Sequence, residues 1–535
     1  MTTRDFIGTG ILLQLFARRD RLLLPIWVLS PVVLVFVTAG TFAAMAGQEL
    51  ESVLTEFNQD ALISALLGPV MTFDLPGAVV WRGVSQFALV LGIGSLLTVI
   101  RHTRVDEETG RTELIRAYVV GRYASLTAAL ILTLLANIAA GLLIVCSIMV
   151  LGGEAEGSLI FGATMAANGW FFGGIGALGA QLRETSRSAR GLGIAALGLG
   201  LVMAILNNFL GGYSFFNWIT PMAWQRLTQP FASNQSWALL YCAVFTATPA
   251  MIAYVLSARR DLAAGIFPTG AGRSEAAPHF SSPLALAWRL RRGNFISCSG
   301  GIILYITAFA AISPGLSASG GMSNWLSGLG GTSWTDEVGL GFVFISVSIY
   351  LMAMFVAVYA MTTILHLKKE EIEGRAEVLL DKQVSRIPWM SSYVAISAMS
   401  SAVLLLLMGI VGGAVYGLAT NDLGNGFWQI LGMSAANIPT VWVLLSVTAC
   451  LYGLLPQVTA MGWAVWVFSA ILELAWEAKV VDWSWMCLSP FSYAHYTLDI
   501  TSLPLLPLFW LLCFAALLTE LGLIGFRRRD ISTRA

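Results

Sequence analysis

Long runs of apolar residues, separated by short charged stretches, make up most of the chain. About 20 consecutive apolar residues are enough for a helix to cross a bilayer. Because lipid offers no hydrogen-bond partners, only helices and closed barrels can span it, and these runs lack the alternation of barrel strands. The pattern therefore predicts twelve membrane-spanning helices, at 23–45, 79–100, 123–150, 159–182, 191–210, 235–257, 295–313, 338–364, 389–414, 428–455, 460–480 and 503–525.

A polar segment divides the predicted spans into six and six. This segment, PTGAGRSEAAPHFSSP, contains turn-forming residues and no periodic apolar pattern. We therefore expect a first transmembrane half over 1–267, a cytoplasmic linker over 268–283 and a second transmembrane half over 284–535. Because six is an even number, both halves begin on the same side of the membrane, which predicts parallel repeats.

The same charged stretch follows the second span of each half. RHTRVDEETGRTELIRAYVVGR (101–122) and LHLKKEEIEGRAEVLLDKQVSR (365–386) lie 264 positions apart and have seven identical residues. The identities pair His102 with His366, Glu107 with Glu371, Gly110 with Gly374, Arg111 with Arg375, Glu113 with Glu377, Val120 with Val384 and Arg122 with Arg386. Each half also closes on a similar motif, ARRD at 258–261 and RRRD at 527–530. These matches indicate an internal duplication.

Positive charge is concentrated on one side of the predicted membrane. Of the 30 Lys and Arg residues, all except Arg82, Arg226 and Lys479 fall in the termini and in the loops on the same side as the termini. Cytoplasmic loops carry such an excess of positive charge. We therefore expect both termini in the cytoplasm.

Composition supports an integral membrane protein and excludes several other classes. Only 11% of the residues are charged and 57% are hydrophobic, whereas soluble domains carry about 25% charged residues. The formal net charge of zero predicts no nucleic-acid partner. Six cysteines without a C-x-x-C pair and four histidines predict no metal site.

Membrane topology alone does not explain the residues shared by the two charged stretches. An ordinary solvated loop that satisfies the positive-inside rule would account for its arginines. It would not account for Glu107, Gly110 and Glu113 recurring in register as Glu371, Gly374 and Glu377. A duplicated charged surface predicts two copies of a soluble partner.

EETGRTELIRAYVVGR and EIEGRAEVLLDKQVSR resemble the stretch after the second transmembrane helix in permeases of ABC-2-type transporters. Six plus six spans, with RRD ending each half, are similar to the double-length bacterial permeases that export polyketide antibiotics. The resemblance implies an all-α integral protein of the bacterial plasma membrane, with about 12 transmembrane helices in two parallel six-helix repeats. Each repeat would have an N-terminal interfacial elbow helix, at 8–22 and 282–292, and a cytoplasmic coupling helix that docks on an ATPase.

The resemblance also implies residues that dock two copies of a separate ABC ATPase. They are Glu107, Gly110, Arg111, Glu113, Arg122, Glu371, Gly374, Arg375, Glu377 and Arg386. None of the four lysines follows a glycine, so the chain has no Walker A sequence and is not expected to hydrolyse ATP. We expect no cofactor in this chain, and ATP and Mg in the partner.

Few polar groups lie within the predicted spans, which favours an amphipathic or hydrophobic small molecule as cargo. The residues that could line its path are Asn137, Asn168, Asn207, Asn437, Glu473 and Trp476. Glu473 and Glu477 lie on one face of the eleventh span, or in the outer loop if that span ends near Leu472. Two alternatives to an ATP-driven exporter remain: an ion- or proton-coupled secondary multidrug carrier, and a non-transporting membrane anchor for an ATPase.

Overall fold

The structure is a computed structural model, and nearly all of the residues that it describes are helical. It describes residues 3–43, 48–59, 64, 67–117, 120–211, 215–260, 264–267, 282–316, 340–381, 384–477, 481–495 and 505–530. Across these ranges, the only β-bridge joins Arg183 to Phe267. Most of the predicted linker, 268–281, lies outside the described residues.

The chain divides into two compact units, Met1–Gly272 and Arg273–Ala535. The helices of the first unit are α1 (Thr9–Arg19), α2 (Leu23–Ala43), α3 (Gln48–Gln59), α4 (Leu75–Ile100), α5 (Asp106–Glu108), α6 (Arg111–Arg116), α7 (Ala124–Val150), α8 (Ala155–Leu182), α9 (Ser186–Phe209), α10 (Phe216–Ile219), α11 (Gln225–Thr228) and α12 (Trp237–Arg259). Short 3₁₀ helices occupy Thr3–Phe6 and Pro221–Ala223, and a π-turn at Arg101–Val105 joins α4 to α5.

The second unit follows the same order of long helices. It contains α13 (Pro283–Leu316), α14 (Leu340–Ile372), α15 (Arg375–Leu380), α16 (Arg386–Thr420), α17 (Asn425–Leu454), α18 (Gly462–Glu477), α19 (Trp483–Met486) and α20 (Leu505–Arg528). Its 3₁₀ helices are Pro456–Met461 and Pro490–Ala494. The prolines that begin the 3₁₀ helices of the last loops, Pro221 and Pro490, precede the sixth long helix of their respective units.

Ten helices among the described residues are long and apolar enough to cross a membrane, so the chain is a multi-pass membrane protein. They are Leu23–Gly40, Leu75–Glu108, Ala124–Val150, Ser186–Asn208, Trp237–Arg259, Pro283–Ala311, Gly341–Ile372, Arg386–Thr420, Asn425–Leu454 and Leu505–Arg528. Two of the twelve predicted spans are not among them. The predicted span 159–182 lies in α8, a 28-residue helix rich in glycine and alanine. The predicted span 460–480 coincides with α18, which is 16 residues long.

The first long helix starts differently in the two units. In the first unit, α1 is a separate amphipathic helix that buries Leu12 and Phe16 and ends at Asp20, before α2 begins. In the second unit, the predicted elbow at 282–292 is the N-terminal part of α13, a continuous 34-residue helix. The corresponding stretch of the second unit, LRRGN, has no carboxylate in place of Asp20. We therefore attribute the break after α1 to the contacts of Asp20.

Glycines allow the long helices to pack backbone against backbone. A Cβ atom on Gly141 of α7 would lie 2.7 Å from the carbonyl oxygen of Gly162 on α8. In the second unit, a Cβ atom on Gly453 of α17 would lie 1.9 Å from the carbonyl oxygen of Gly522 on α20. Small residues at such crossings are typical of helices that associate within lipid.

Candidate functional site

The duplicated stretch adopts the same backbone geometry in both units. Gly110 precedes α6 with φ 71° and ψ 0°, and Gly374 precedes α15 with φ 73° and ψ 0°. Residues with a Cβ atom rarely adopt this left-handed conformation. A Cβ atom at either glycine would meet nothing within 4 Å, so the backbone angle, and not crowding, favours glycine there. Each glycine turns the chain from a long helix into a six-residue helix.

The two short helices expose matching faces. In α6, Glu113 is exposed and Leu114 is 71% exposed, whereas Thr112 is buried. In α15, Glu377 is exposed and Val378 is 60% exposed, whereas Ala376 is buried. An acidic residue followed by an unburied aliphatic residue therefore projects from each unit. Single exposed aliphatic residues are common on protein surfaces, so it is the recurrence of the same face in both units that distinguishes these helices.

The arginine that follows each of these glycines binds a carboxylate of its own unit. The two carboxylates are at matched positions, but one is an aspartate and the other a glutamate. Arg375 donates two hydrogen bonds of 2.8 Å to Glu370. Arg111 Nη1 lies 3.4 Å from Asp106 Oδ1, and Asp106 also accepts from Arg19 of α1 at 2.7 and 2.8 Å. Asp106 and Glu370 are both buried. These contacts hold each short helix against the end of the preceding long helix.

Glu107 and Glu371 face the interior of their own units. Glu107 accepts hydrogen bonds from Arg104 at 2.6 Å and from Arg260 at 2.5 Å, and its side chain is 10% exposed. Glu371 accepts two hydrogen bonds from Arg529, at 2.7 and 2.8 Å, and a third from the hydroxyl of Tyr452 at 2.9 Å. Arg260 and Arg529 occupy the same place in the motifs ARRD and RRRD. Each carboxylate thus ties the second long helix of its unit to the end of the sixth.

Arg122 and Arg386 lie at the start of the third long helix of their units and connect it to the end of the sixth. Arg122 Nη2 donates to the carbonyl oxygens of Ser257, Ala258 and Arg260 at 2.8–3.2 Å. Arg386 Nη1 donates to the carbonyl oxygen of Arg529 at 2.6 Å. These carbonyls lie at or just beyond helix C-termini, where a positive side chain is electrostatically favourable.

A second network occurs in the first unit at the break between α1 and α2. Asp20 pairs with Arg101 at 2.8 Å and lies 2.7 Å from Nε2 of His102, a ring that stacks on Phe16. Burial by itself raises the pKa of the Asp20 carboxyl. The hydrogen bond to His102 and the positive charges around it outweigh burial and hold that pKa below its usual value of 3.8. The matched His366 instead pairs with Glu370, four residues along its own helix.

The asparagines proposed for the cargo path are fully buried within their units. Asn137 of α7 donates to Ser95 of α4 at 2.7 Å, and Asn437 of α17 donates to the carbonyl oxygen of Met433. Asn168 of α8 and Asn207 of α9 are also 0% exposed. The bond of Asn137 joins two helices, as buried amides do within lipid, whereas the bond of Asn437 is to its own helix. Both Asn168 and Asn437 lie on the fourth long helix of their unit.

Glu473 lies at the centre of a buried polar cluster in the second unit. Helix α18 extends to Glu477, so Glu473 belongs to the helix and not to an outer loop, and it is 4% exposed. The hydroxyl of Tyr350 donates to Glu473 at 2.6 Å, and His495 Nε2 lies 2.9 Å from the other carboxylate oxygen. The rings of Trp476 and of the exposed Trp483 lie with their centroids 5.0 and 5.1 Å from that of His495.

Several residues that contact the predicted site residues are not predicted from the sequence. Arg260 and Arg529 could have been predicted, because the RRD motif that ends each half places them at matched positions. For Asp106 and Glu370 the signal was weaker, because these residues match in charge but not in identity. For Tyr350 and His495 the sequence offers no pattern, since both depend on the fold to reach Glu473. No group of three or more potential metal ligands occurs among the described residues.

Two comparisons with known proteins agree on the family. A family model described as the C-terminal domain of the multidrug efflux system permease Rv1217c matches residues 280–527. The multidrug efflux system permease protein Rv1217c of Mycobacterium tuberculosis is 33% identical over 98% of this chain and 96% of its own length.

Proposed function

The chain belongs to the family of this multidrug efflux system permease, and we propose that it is the membrane subunit of an ATP-driven ABC exporter. Two copies of a separate ATPase subunit dock on α6 and α15, which we call the docking helices. ATP and Mg are bound by those subunits, and this chain hydrolyses nothing. The cargo is an amphipathic or hydrophobic small molecule that leaves the cell across the plasma membrane. Both termini and both docking helices are cytoplasmic, and the six-helix halves are parallel repeats of about twelve spans in all.

The matched exposed faces of the docking helices carry this proposal. Of the ten residues expected to dock the ATPases, Glu113 and Glu377 are the acidic ones that project from the chain, each beside an exposed aliphatic residue. Four others of the ten bind groups of their own unit and so support the docking helices: Glu107, Arg122, Glu371 and Arg386. Arg111 and Arg375 hold the docking helices in place through Asp106 and Glu370.

Charge reversal on the docking helices tests the proposal. In the double variant Glu113→Lys, Glu377→Lys, we expect the chain to fold but to lose drug efflux and the ATPase subunits that co-purify with the wild-type protein. Exposed charge changes shift stability by less than about 0.5 kcal/mol. Glu51→Lys is the matched control, because it reverses an exposed acidic residue on α3, which is not part of either docking helix. Normal efflux by the double variant would refute docking at these residues.

One observation favours a second candidate, a proton-coupled carrier. Glu473, Tyr350 and His495 form a buried carboxylate–hydroxyl–imidazole cluster, and intramembrane ionisable groups are the usual sites of proton coupling. The two candidates respond differently to energy sources. A proton-coupled carrier loses efflux when an uncoupler dissipates the proton gradient while ATP is maintained. An ATP-driven exporter retains efflux under that condition and loses it when ATP is depleted.

A further inference from the structure

A polar pocket of about 430 Å³ opens beside the charged end of the first unit. Glu107, Arg122 and Arg260 line it, so the charged groups of its wall sum to a net positive charge. The remaining polar wall is formed by hydroxyl and amide side chains, among them Ser125, Gln181 and Ser257. The pocket lies where α7 begins and α12 ends, beneath the docking helix α6.

The second unit places aromatic rings at the matching positions. Trp389 lies 264 positions after Ser125, and Phe526 precedes Arg529 by three residues, as Ser257 precedes Arg260. Tyr452, at the end of the fourth long helix, contacts Arg529 as Gln181 contacts Arg260. Trp389, Tyr452 and Phe526 are all at most 2% exposed.

These rings pack on one another and on the arginine. The Phe526 ring lies 5.7 Å from Trp389 and 5.5 Å from Tyr452, between centroids. The guanidinium carbon of Arg529 lies 4.9 Å from both the Tyr452 and the Phe526 centroids, within cation–π range. In the second unit the space around the arginine is therefore filled by the chain itself. In the first unit small polar side chains leave that space open.

We propose that the pocket of the first unit binds the phosphate group of an anionic phospholipid from the inner leaflet. The two arginines of the wall already hydrogen-bond Glu107 and backbone carbonyls, so they attract a phosphate through the net positive charge of the wall. Hydroxyl groups on the wall supply hydrogen-bond donors. Basic pockets between transmembrane helices on the cytoplasmic side are a recurrent way to bind such headgroups. The inference rests on the proposed function only in placing this end of the unit at the cytoplasmic surface.

The rim of the pocket favours a lipid over a soluble phosphate. Val120 and Leu126 contribute apolar wall, and Leu126 lies on α7, a helix of membrane-spanning length. The residues just before the amphipathic helix α1 approach the same rim, since Gly121 donates to the carbonyl oxygen of Ile7 at 2.9 Å. A headgroup in the pocket would thus have acyl chains beside apolar helix surface.

Native mass spectrometry of the full-length chain in detergent tests this site with three probes: phosphatidylglycerol, phosphatidylcholine and glycerol 3-phosphate. The variant Ser125→Trp, Ser257→Phe introduces the residues of the second half and should fill the pocket. We expect it to bind phosphatidylglycerol at least about tenfold more weakly than the wild type, which corresponds to about 1.4 kcal/mol. Trp389→Phe is the matched control in the second half and should bind the lipid as the wild type does.

A second variant covers the case in which the filled pocket perturbs folding. Arg122→Gln removes charge without adding volume, and it should weaken phosphatidylglycerol binding more than phosphatidylcholine binding. Equal retention of phosphatidylglycerol by the wild type and both pocket variants would overturn the proposal. So would equal binding of the two lipids, and so would displacement of the lipid by an equal concentration of glycerol 3-phosphate, which would mark a site for soluble phosphate esters. Because the permease alone is measured, failure of ATPase docking leaves this readout unaffected.

Discussion

In the first half of the chain, the buried carboxylate before the docking helix, Glu107, accepts hydrogen bonds from two arginines. In the second half, the matched Glu371 accepts hydrogen bonds from one arginine and one tyrosine. The first support leaves an open polar pocket, and the second is filled by aromatic rings. The exposed faces of the docking helices nevertheless match, residue for residue, at Glu113 and Glu377. The halves therefore share an acidic residue on the projecting face and the same glutamate–arginine pair behind it, and they differ in the side chains that pack around that pair. This contrast separates residues that support the site from those that we propose to meet a partner.

Removing the supporting carboxylates should have the largest effect on stability. Glu107→Ala removes the carboxylate partner of both Arg104 and Arg260, whose side chains are 0% and 7% exposed, whereas Glu371→Ala removes that of Arg529 alone. Removing one partner of a buried ion pair costs about 3–5 kcal/mol. We expect both variants to unfold at lower temperature than the wild type, with the larger decrease for Glu107→Ala. Thermal unfolding of the purified chain in detergent measures both.

The control for these two variants is Glu113→Gln, which should leave the unfolding temperature unchanged because Glu113 is exposed. A decrease for Glu113→Gln as large as that for Glu107→Ala would remove the distinction between supporting and projecting residues. A larger decrease for Glu371→Ala than for Glu107→Ala would show that the single arginine of the second half is the more dependent on its carboxylate.

The Asp20 network should give the first half a pH dependence that has no counterpart at the matched position of the second half. Because the folded-state pKa of Asp20 lies below its usual value, its contribution to stability is fully present above about pH 4 and is lost as the pH falls below that value. Hydrogen bonds to charged groups contribute about 1.5–3 kcal/mol. Asp20→Asn should therefore lower the unfolding temperature at pH 6.

The difference between Asp20→Asn and the wild type should shrink as the pH is lowered from 5 to 3, because the carboxyl of the unfolded chain takes up a proton in this range while the lowered folded-state pKa resists protonation. The stretch LRRGN in the second half offers no titrating group at the matched place, so Asn294→Ala serves as a control whose effect should not vary with pH over this range. A wild-type advantage that persists unchanged at pH 3 would contradict the assigned role of Asp20.

The matched glycines should give the smallest effect, and it should be equal in the two halves. A Cβ atom at Gly110 or Gly374 meets nothing within 4 Å, so alanine there incurs the backbone penalty alone, which is about 1–2 kcal/mol for a left-handed residue. We expect Gly110→Ala and Gly374→Ala to lower the unfolding temperature by the same small amount. Asparagine, which tolerates this conformation better, should lower it less at both positions. Unequal decreases would show that the two turns differ despite their matching angles.

The long helices and the short helix after each matched glycine could be predicted from the sequence, because hydropathy and an internal repeat are local signals. The inward orientation of Glu107 and Glu371 could not, because Arg260 and Arg529 lie 153 and 158 residues away along the chain. The sequence of a single stretch does not distinguish a carboxylate that faces a partner from one that faces its own chain. The pocket could not be predicted from the sequence either. It becomes apparent only when the contacts of Ser125 and Ser257 in the first unit are compared with those of Trp389 and Phe526 in the second.

Two of the predicted spans also show where hydropathy alone does not describe a helix. Helix α8, which is rich in glycine and alanine, is not among the ten apolar helices, although it packs against α4, α7 and α12. Helix α18 is 16 residues long among the described residues and buries Glu473 against Tyr350 and His495. In both cases the contacts within the unit, and not the average apolarity, determine the role of the helix.

The mass of the complex between this chain and its ATPase tests the central claim most directly. If each docking helix holds one ATPase subunit, native mass spectrometry of the tagged wild-type complex will give one permease chain with two ATPase subunits. Glu113→Lys alone and Glu377→Lys alone will each shift the population towards one ATPase subunit per chain, while Glu51→Lys will leave it at two. A wild-type complex that contains a single ATPase subunit per permease chain, or a stoichiometry that neither variant changes, would contradict the account.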